Sequence, residues 1–202
     1  MNMRNPFTTV SSAVSRLPLV AVLLVQAVVG YEWLNSALTK IVRGGFVSGL
    51  ADQLARNSDG APGWYRGVLG SAIIPHAAAF GYLIQAGELA VGLGLIATAL
   101  VLLARGQRLS MTALQGVLAV TALMATGGAF MNLNFSLFSG NPPVWSLGGD
   151  AFSEGVGIDG ILMLVQAAIA GTSASLLYSL RRRSIDAAVV ADTAEVIIRR
   201  AA

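Results

Sequence analysis

The sequence predicts an all-α integral membrane protein, a four-helix transmembrane bundle with an interfacial helix in the first extracytoplasmic loop. Composition is the first reason: 55% of the residues are hydrophobic and 11% charged, where a soluble domain carries about 25% charged. The second is that four separate apolar runs use most of the 202 residues, each near the length of about 20 apolar residues that crosses a bilayer. The third is that the arginines cluster at the ends of those runs. They read as topology signals and not as a nucleic-acid footprint, and no nucleic-acid partner is expected.

Residues 1–16 form a short polar stretch with Arg4 and Arg16, ahead of the run from Leu17 to Leu34. That run is longer than a signal-peptide core, no small-x-small cleavage site follows, and three more apolar segments come after it. It therefore predicts a retained first transmembrane helix over 17–41. Glu32, Asn35 and Ser36 fall at i, i+3 and i+4, with Thr39 and Lys40 extending the pattern, so the outer part of this helix carries one polar face.

A loop from Val42 to Ile74 follows, broken by Gly44-Gly45, Asn57-Ser-Asp-Gly60 and Pro62-Gly63. In its middle Phe46, Leu50, Leu54 and Ala55 recur at helical spacing, which predicts a short amphipathic helix lying on the membrane surface. Trp64-Tyr65-Arg66 has the composition of a headgroup-level anchor. Val68 to Ile74 reads as a half-inserted lead-in, stopped by Pro75 before a second spanning helix over 75–104.

That second helix contains Phe80-Gly-Tyr-Leu-Ile-Gln-Ala-Gly-Glu-Leu-Ala-Val-Gly-Leu-Gly-Leu-Ile96, and from Pro75 to Ala104 there is no Lys, Arg or Asp. Arg105-Gly-Gln-Arg108 is a tight basic turn into a third helix over 109–138, which holds Gly127-Gly128, Asn132 and Asn134. The second loop, Ser139 to Gly157, contains Asn141-Pro-Pro143, Trp145, Gly148-Gly149, Asp150 and Glu154. A fourth helix over 158–180 opens with Asp159 and closes on Arg181-Arg-Arg183. The tail, 181–202, is expected as a cytoplasmic surface helix or frayed end. The domain division is thus a cytoplasmic N-terminus (1–16), one transmembrane domain (17–180) and a tail. The N-terminus, the Arg105/Arg108 turn and the tail hold nine Lys and Arg, the two longer loops four. The positive-inside rule accordingly places both termini in the cytoplasm of a bacterial-type plasma membrane.

Glu88 is the residue around which a site is expected. A charge at mid-depth costs about 2.5–3.5 kcal/mol, so it must face other helices or water, and it marks a functional site by default. Glu32 is the second candidate, and Lys40 or Arg43 stands near enough to neutralise it or to turn inward toward buried carboxylates. The structural alternative for each is a protonated or ion-paired member of the bundle. Gln85, Glu88 and Gly92 share one stripe with Gly81, so a neighbouring backbone or a flat ligand can approach the carboxylate. Asn132 and Asn134 suit helix–helix hydrogen bonding, His76 a solvated helix start, and Asp159 a favourable helix dipole. All these groups fall in the outer half of the bilayer, with Gln166, and the inner half looks featureless. Cysteine is absent and histidine occurs once, which excludes thiol nucleophiles, persulfide carriers, iron–sulfur clusters and Cys/His zinc sites in this chain. No metal or haem is expected.

Several pieces together resemble the DoxX family of small four-helix membrane proteins: Phe46-Val-Ser-Gly-Leu50, Trp64-Tyr65, Pro75, Phe80-Gly-Tyr-Leu83, Gly87-Glu88-Leu89 with Gly92-Leu93, and Met131-Asn-Leu-Asn-Phe135 followed by Gly140-Asn-Pro142. The resemblance spans roughly 17–180 and rests on their order and spacing. The Gly-Glu-Leu and Asn-x-Asn-Phe parts are also similar to DoxD, the membrane subunit of thiosulfate:quinone oxidoreductases. This resemblance implies a quinone-linked oxidoreductase subunit working in electron transfer. Glu88, with Glu32, would handle protons beside a membrane quinone. Asn132 and Asn134 would hydrogen-bond its oxygens, with Gln85 on the same side, and Lys40, Arg43 or His76 would attract a small anionic donor such as thiosulfate. The competing expectation is a non-catalytic subunit that docks or stabilises a larger respiratory or redox-defence complex, alone or as a homo-oligomer. A transporter is disfavoured because no inverted repeat is visible, and a channel because the polar residues stop halfway across.

Overall fold

The computed structural model describes residues 17–140 and 157–201, with side chains for 18–140 and 157–186. The expectations placed on Arg4, Arg16, the Asn141–Glu154 loop and the side chains of the tail lie outside the described residues.

Among the described residues every regular element is helical. The elements are α1 (Leu17–Arg43), α2 (Phe46–Asn57), α3 (Gly63–Val68), α4 (Ala77–Arg105), α5 (Met111–Phe138) and α6 (Ile158–Ala201). Four segments are long and apolar enough to cross a membrane: Pro18–Arg43, Gly63–Arg108, Met111–Phe138 and Ile158–Asp186. Their surfaces carry Leu, Val, Ile and Tyr side chains that are largely exposed, among them Val28, Tyr82, Leu83, Leu123, Leu164 and Tyr178. In water such a surface is untenable; in a bilayer it is the solvated face. The chain is a multi-pass membrane protein.

The spanning helices pack in the order α1, α4, α5, α6, and α1 and α6 touch only sparsely. Hydrocarbon offers no hydrophobic drive between helices, so close approach at small residues matters most. At Gly92 a Cβ would lie 2.6 Å from the backbone nitrogen of Leu34, and at Gly30 one would lie 3.1 Å from that of Ile96. These two glycines let α1 and α4 meet backbone to backbone. Val29, Trp33, Val91, Leu95, Ala125 and Ile169 form the core between the four helices.

Three boundaries differ from the sequence expectation. Pro75 does not stop a lead-in: α3 continues through a π-helical turn (Leu69–Ile73) and a 3-10 turn (Ile74–His76) into α4. A proline in the first turn of a helical segment lacks only a donor that has no partner there. The fourth helix does not close at Leu180 but runs on through Arg181-Arg-Arg183 to Ala201, because no Gly or Pro follows Gly171 to break it. Finally, α5 starts at Met111, where the Ser110 hydroxyl accepts from the Ala113 N–H at 3.2 Å as an N-cap.

The loop helix α2 forms where its spacing predicts, and Leu50 and Leu54 are its buried face. That face turns inward instead of lying free on the membrane surface. It joins Ala61, Tyr65, Leu69 and Ala77 in a second core at the N-terminal end of α4, the end expected to be outer. Gly81 makes this possible, since a Cβ there would come within 3.1 Å of the Val47 Cα. Gly140, at φ +67°, abuts Gly60 and ties the first loop to the end of α5.

Candidate functional site

Lys40 lies in the last turn of α1, and Glu88 sits on α4 facing it. The ammonium donates to both carboxylate oxygens, Oε1 at 2.6 Å and Oε2 at 2.8 Å, and to the Ser36 hydroxyl at 2.6 Å. Glu88 is fully buried, while the Lys40 side chain keeps 22% of its surface. Burying two opposite charges is sustainable only when their hydrogen-bonding capacity is met, and a two-point contact with a third acceptor does that for the lysine. Lys40 therefore turns inward to a buried carboxylate, and the carboxylate is Glu88, not Glu32.

Beside this pair, between α2, α4 and α5, is a cavity of about 570 Å³, a size common among small-molecule sites. Phe46, Phe80, Phe130, Phe135 and Phe138 line it together with Leu50, Leu54, Leu69, Ile73 and Ile84. Its polar members are few: Ser36, Lys40, Gln53, Tyr65, Asn134, Ser139 and Asp159. The Lys40 ammonium stands 5.3 Å from the centre of the Phe46 ring, within cation–π range. Glu88 itself does not line the cavity. It stands behind Lys40, so anything in the cavity meets the carboxylate through the ammonium.

The other predicted site residues divide. Asn134 lines the cavity, but its amide is engaged: Nδ2 donates to the Phe130 carbonyl at 2.7 Å, and Oδ1 accepts from the Tyr65 hydroxyl at 3.0 Å. Asn132 is buried away from the cavity and donates to Gln166 Oε1 at 2.8 Å, joining α5 to α6. Gly128 gives Gln166 its room, since a Cβ there would overlap the Gln166 amide. Gln85 is half-buried outside the cavity lining, and His76 and Arg43 are exposed and also outside it. Glu32 is exposed and has no ion pair with Lys40 or Arg43. The glycine stripe brings in neighbouring backbone and not a ligand, with Gly81 against α2 and Gly92 against α1.

Sequence reasoning missed three things. Tyr65 has the flavour of a headgroup anchor, yet it is buried and hydrogen-bonded into the cavity wall, while Trp64 beside it stays exposed. Asp159 lines the cavity as well as opening α6. The inner half is not featureless: buried Gln26 on α1 donates to the Leu95 carbonyl at 2.9 Å and to Thr98 Oγ1 at 2.8 Å on α4. The Gln26 signal was present in the sequence, as the sole amide in the apolar run from Leu17 to Leu34. Two buried donors, Trp33 Nε1 and Gln166 Nε2, lack an acceptor among the described residues.

Comparison with protein-family models, with curated proteins and with solved structures finds no match for this chain.

Proposed function

We propose that the outer cavity binds the head of a membrane quinone and that the chain is a quinone-interacting subunit of a plasma-membrane oxidoreductase, taking electrons from thiosulfate or another small donor. One observation carries the reading: among the described residues the only charged donor on the wall of a phenylalanine-lined cavity is Lys40, and a buried carboxylate fixes it there. A flat, largely apolar ring with carbonyl oxygens fits such a lining, with aromatic faces for the ring and few donors for the oxygens. A bound quinone supplies a two-electron, two-proton acceptor.

All three Lys40 donors are engaged by Glu88 and Ser36, so a ring oxygen meets the ammonium by taking the place of the Ser36 hydroxyl, and the Tyr65 hydroxyl is the second polar group on the wall. Glu88 holds the ammonium in position and is the nearest proton-exchanging group behind it. Asn134 positions Tyr65, and Asn132 fixes α5 to α6. The order of motifs that resembles DoxX supports the same reading. With both termini in the cytoplasm the cavity opens in the extracytoplasmic half, where a soluble anionic donor arrives. Lys40, not Glu32, is then the residue that meets a ligand.

Quantifying quinone in the organic extract of gently solubilised, affinity-purified protein tests this. Near-stoichiometric quinone, lost in Lys40→Met, is expected; protein free of quinone, or equal retention in that variant, refutes the site.

A second reading rests on the completeness of the ion pair. Both Glu88 oxygens are satisfied by Lys40, which suits a purely architectural role in a subunit that docks a larger respiratory complex. Under it, replacing Lys40 and Glu88 together with apolar residues leaves partner activity intact.

A further inference from the structure

On the side of α1 away from the bundle, a stripe of residues is left uncovered. Leu24, Val28, Tyr31, Asn35, Leu38 and Val42 recur at alternating steps of four and three, the spacing of a coiled-coil seam. They lie opposite the face that carries Gln26, Trp33 and Ala37 into the bundle, and the five non-amide members are 45–81% exposed. Apolar groups facing lipid are expected; polar ones are not. Asn35 stands within the seam and Glu32 on its flank, both exposed, and neither has a hydrogen-bond or ion-pair partner among the described residues.

Their depth makes this costly. Gly92 abuts Leu34 and Gly30, and Gly94 abuts Met124, which puts the Glu32 level of α1 beside the middle of α4 and α5. Asn35 is less than one turn away. At such depth water does not reach a side-chain amide, and a neighbouring helix is what satisfies it.

We propose that two copies of this chain pair through α1, seam against seam, with Asn35 hydrogen-bonded to Asn35 across the two-fold axis. Every copy threads the bilayer in the same sense, so two α1 helices meeting on this face run parallel and bring their Asn35 residues together at one depth. A carboxamide is its own complement, donating through Nδ2 and accepting through Oδ1. One asparagine in an otherwise apolar seam sets the register and favours two strands. A different membrane protein needs both the matching spacing and a polar group at that depth; a second copy has both by symmetry. The pairing face points away from the outer cavity and stands whether or not a quinone binds there.

The chain has no cysteine, so single cysteines report the contact in full-length protein in native membranes. Under mild oxidation, Leu24→Cys, Val28→Cys and Leu38→Cys are expected to give disulfide-linked dimers. Val25→Cys and Ile41→Cys, also exposed at 47% and 48% but about 100° around the helix, are expected to stay monomeric. Adding Asn35→Leu to Val28→Cys should weaken association roughly 3- to 18-fold, the range of one interhelical hydrogen bond in a membrane, whereas Asn35→Gln should retain most of it. Equal cross-linking on and off the seam, adducts of a mass other than twice the chain, or pairing indifferent to Asn35→Leu overturns the proposal.

Discussion

The outer and inner ends of the bundle solve one packing problem with different chemistry. At the inner end α1 and α4 are held by a neutral clamp, Gln26 on Leu95 and Thr98, beside glycines that bring the backbones together. At the outer end the same two helices are joined by Lys40 and Glu88, and a cavity walled by α2 and α5 opens against them. Both contacts connect helices, but only one sets a charge beside empty volume. An amide clamp is the inexpensive way to fix register in lipid, worth about 0.6 kcal/mol on average. A buried ion pair carries a large desolvation penalty and offers little net stability over an apolar pair. On the proposed reading the outer pair is held for what it does at the cavity, and the inner clamp for where it puts the helices.

The sharpest way to break that contrast is to separate charge from stability. Lys40→Met leaves the Glu88 carboxylate buried and uncompensated, and should cost about 3–5 kcal/mol in unfolding by denaturing detergent from mixed micelles. Lys40→Met with Glu88→Leu should recover most of that loss while leaving the protein without quinone. If the double variant stays as unstable as the single one, the pair is architecture and the contrast fails.

Enlarging Gly92 tests whether both ends depend on the same close approach. Gly92→Leu pushes a side chain into the Leu34 backbone and should destabilise by about 1–3 kcal/mol, with quinone content falling because Lys40 and Glu88 no longer meet. Unchanged stability would show that α1 and α4 do not need this contact. At the cavity wall, Tyr65→Phe removes one hydrogen bond to Asn134, worth about 0.5–1.5 kcal/mol. It should lower quinone retention several-fold, measured by extraction, with a shift in unfolding no larger than that one bond. The smallest effect on quinone is expected at the inner end: Gln26→Leu should shift unfolding by about 0.6 kcal/mol and at most about 1.7, leaving quinone content at the wild-type level. A loss of quinone in Gln26→Leu would erase the distinction between the two ends.

Much of this architecture was legible in the sequence because lipid imposes a simple rule. Each apolar run of sufficient length became a helix, and the spacing of Phe46, Leu50 and Leu54 placed α2 correctly. Glu88 stood out as the lone carboxylate of its span, and it is buried. Its partner was ambiguous, because Lys40 lies eight residues from Glu32 along one helix but 48 residues from Glu88, and only the fold decides which carboxylate is opposite. Pro75 misled because a helix tolerates proline in a first turn, which needs knowledge of where the turn begins. The cavity walls were not legible at all. Phe80, Phe130 and Phe138 are ordinary members of apolar runs, and their convergence depends on how α2 folds back over α4. Asn132 and Asn134, two residues apart, diverge because alternate positions on a helix point to different neighbours.

The central claim is that, among the described residues, the outer cavity is where a ligand meets this protein. A photoreactive quinone analogue carried in proteoliposomes, followed by peptide mapping of the adducts, tests it most directly. Adducts are expected to concentrate on Phe46 to Leu54, Tyr65 to Ile84 and Phe130 to Phe138, competed by unlabelled quinone and absent from Lys40→Met with Glu88→Leu. Adducts spread along the lipid-facing sides of the helices, or gathered near Gln26 and Thr98 at the inner end, would contradict it.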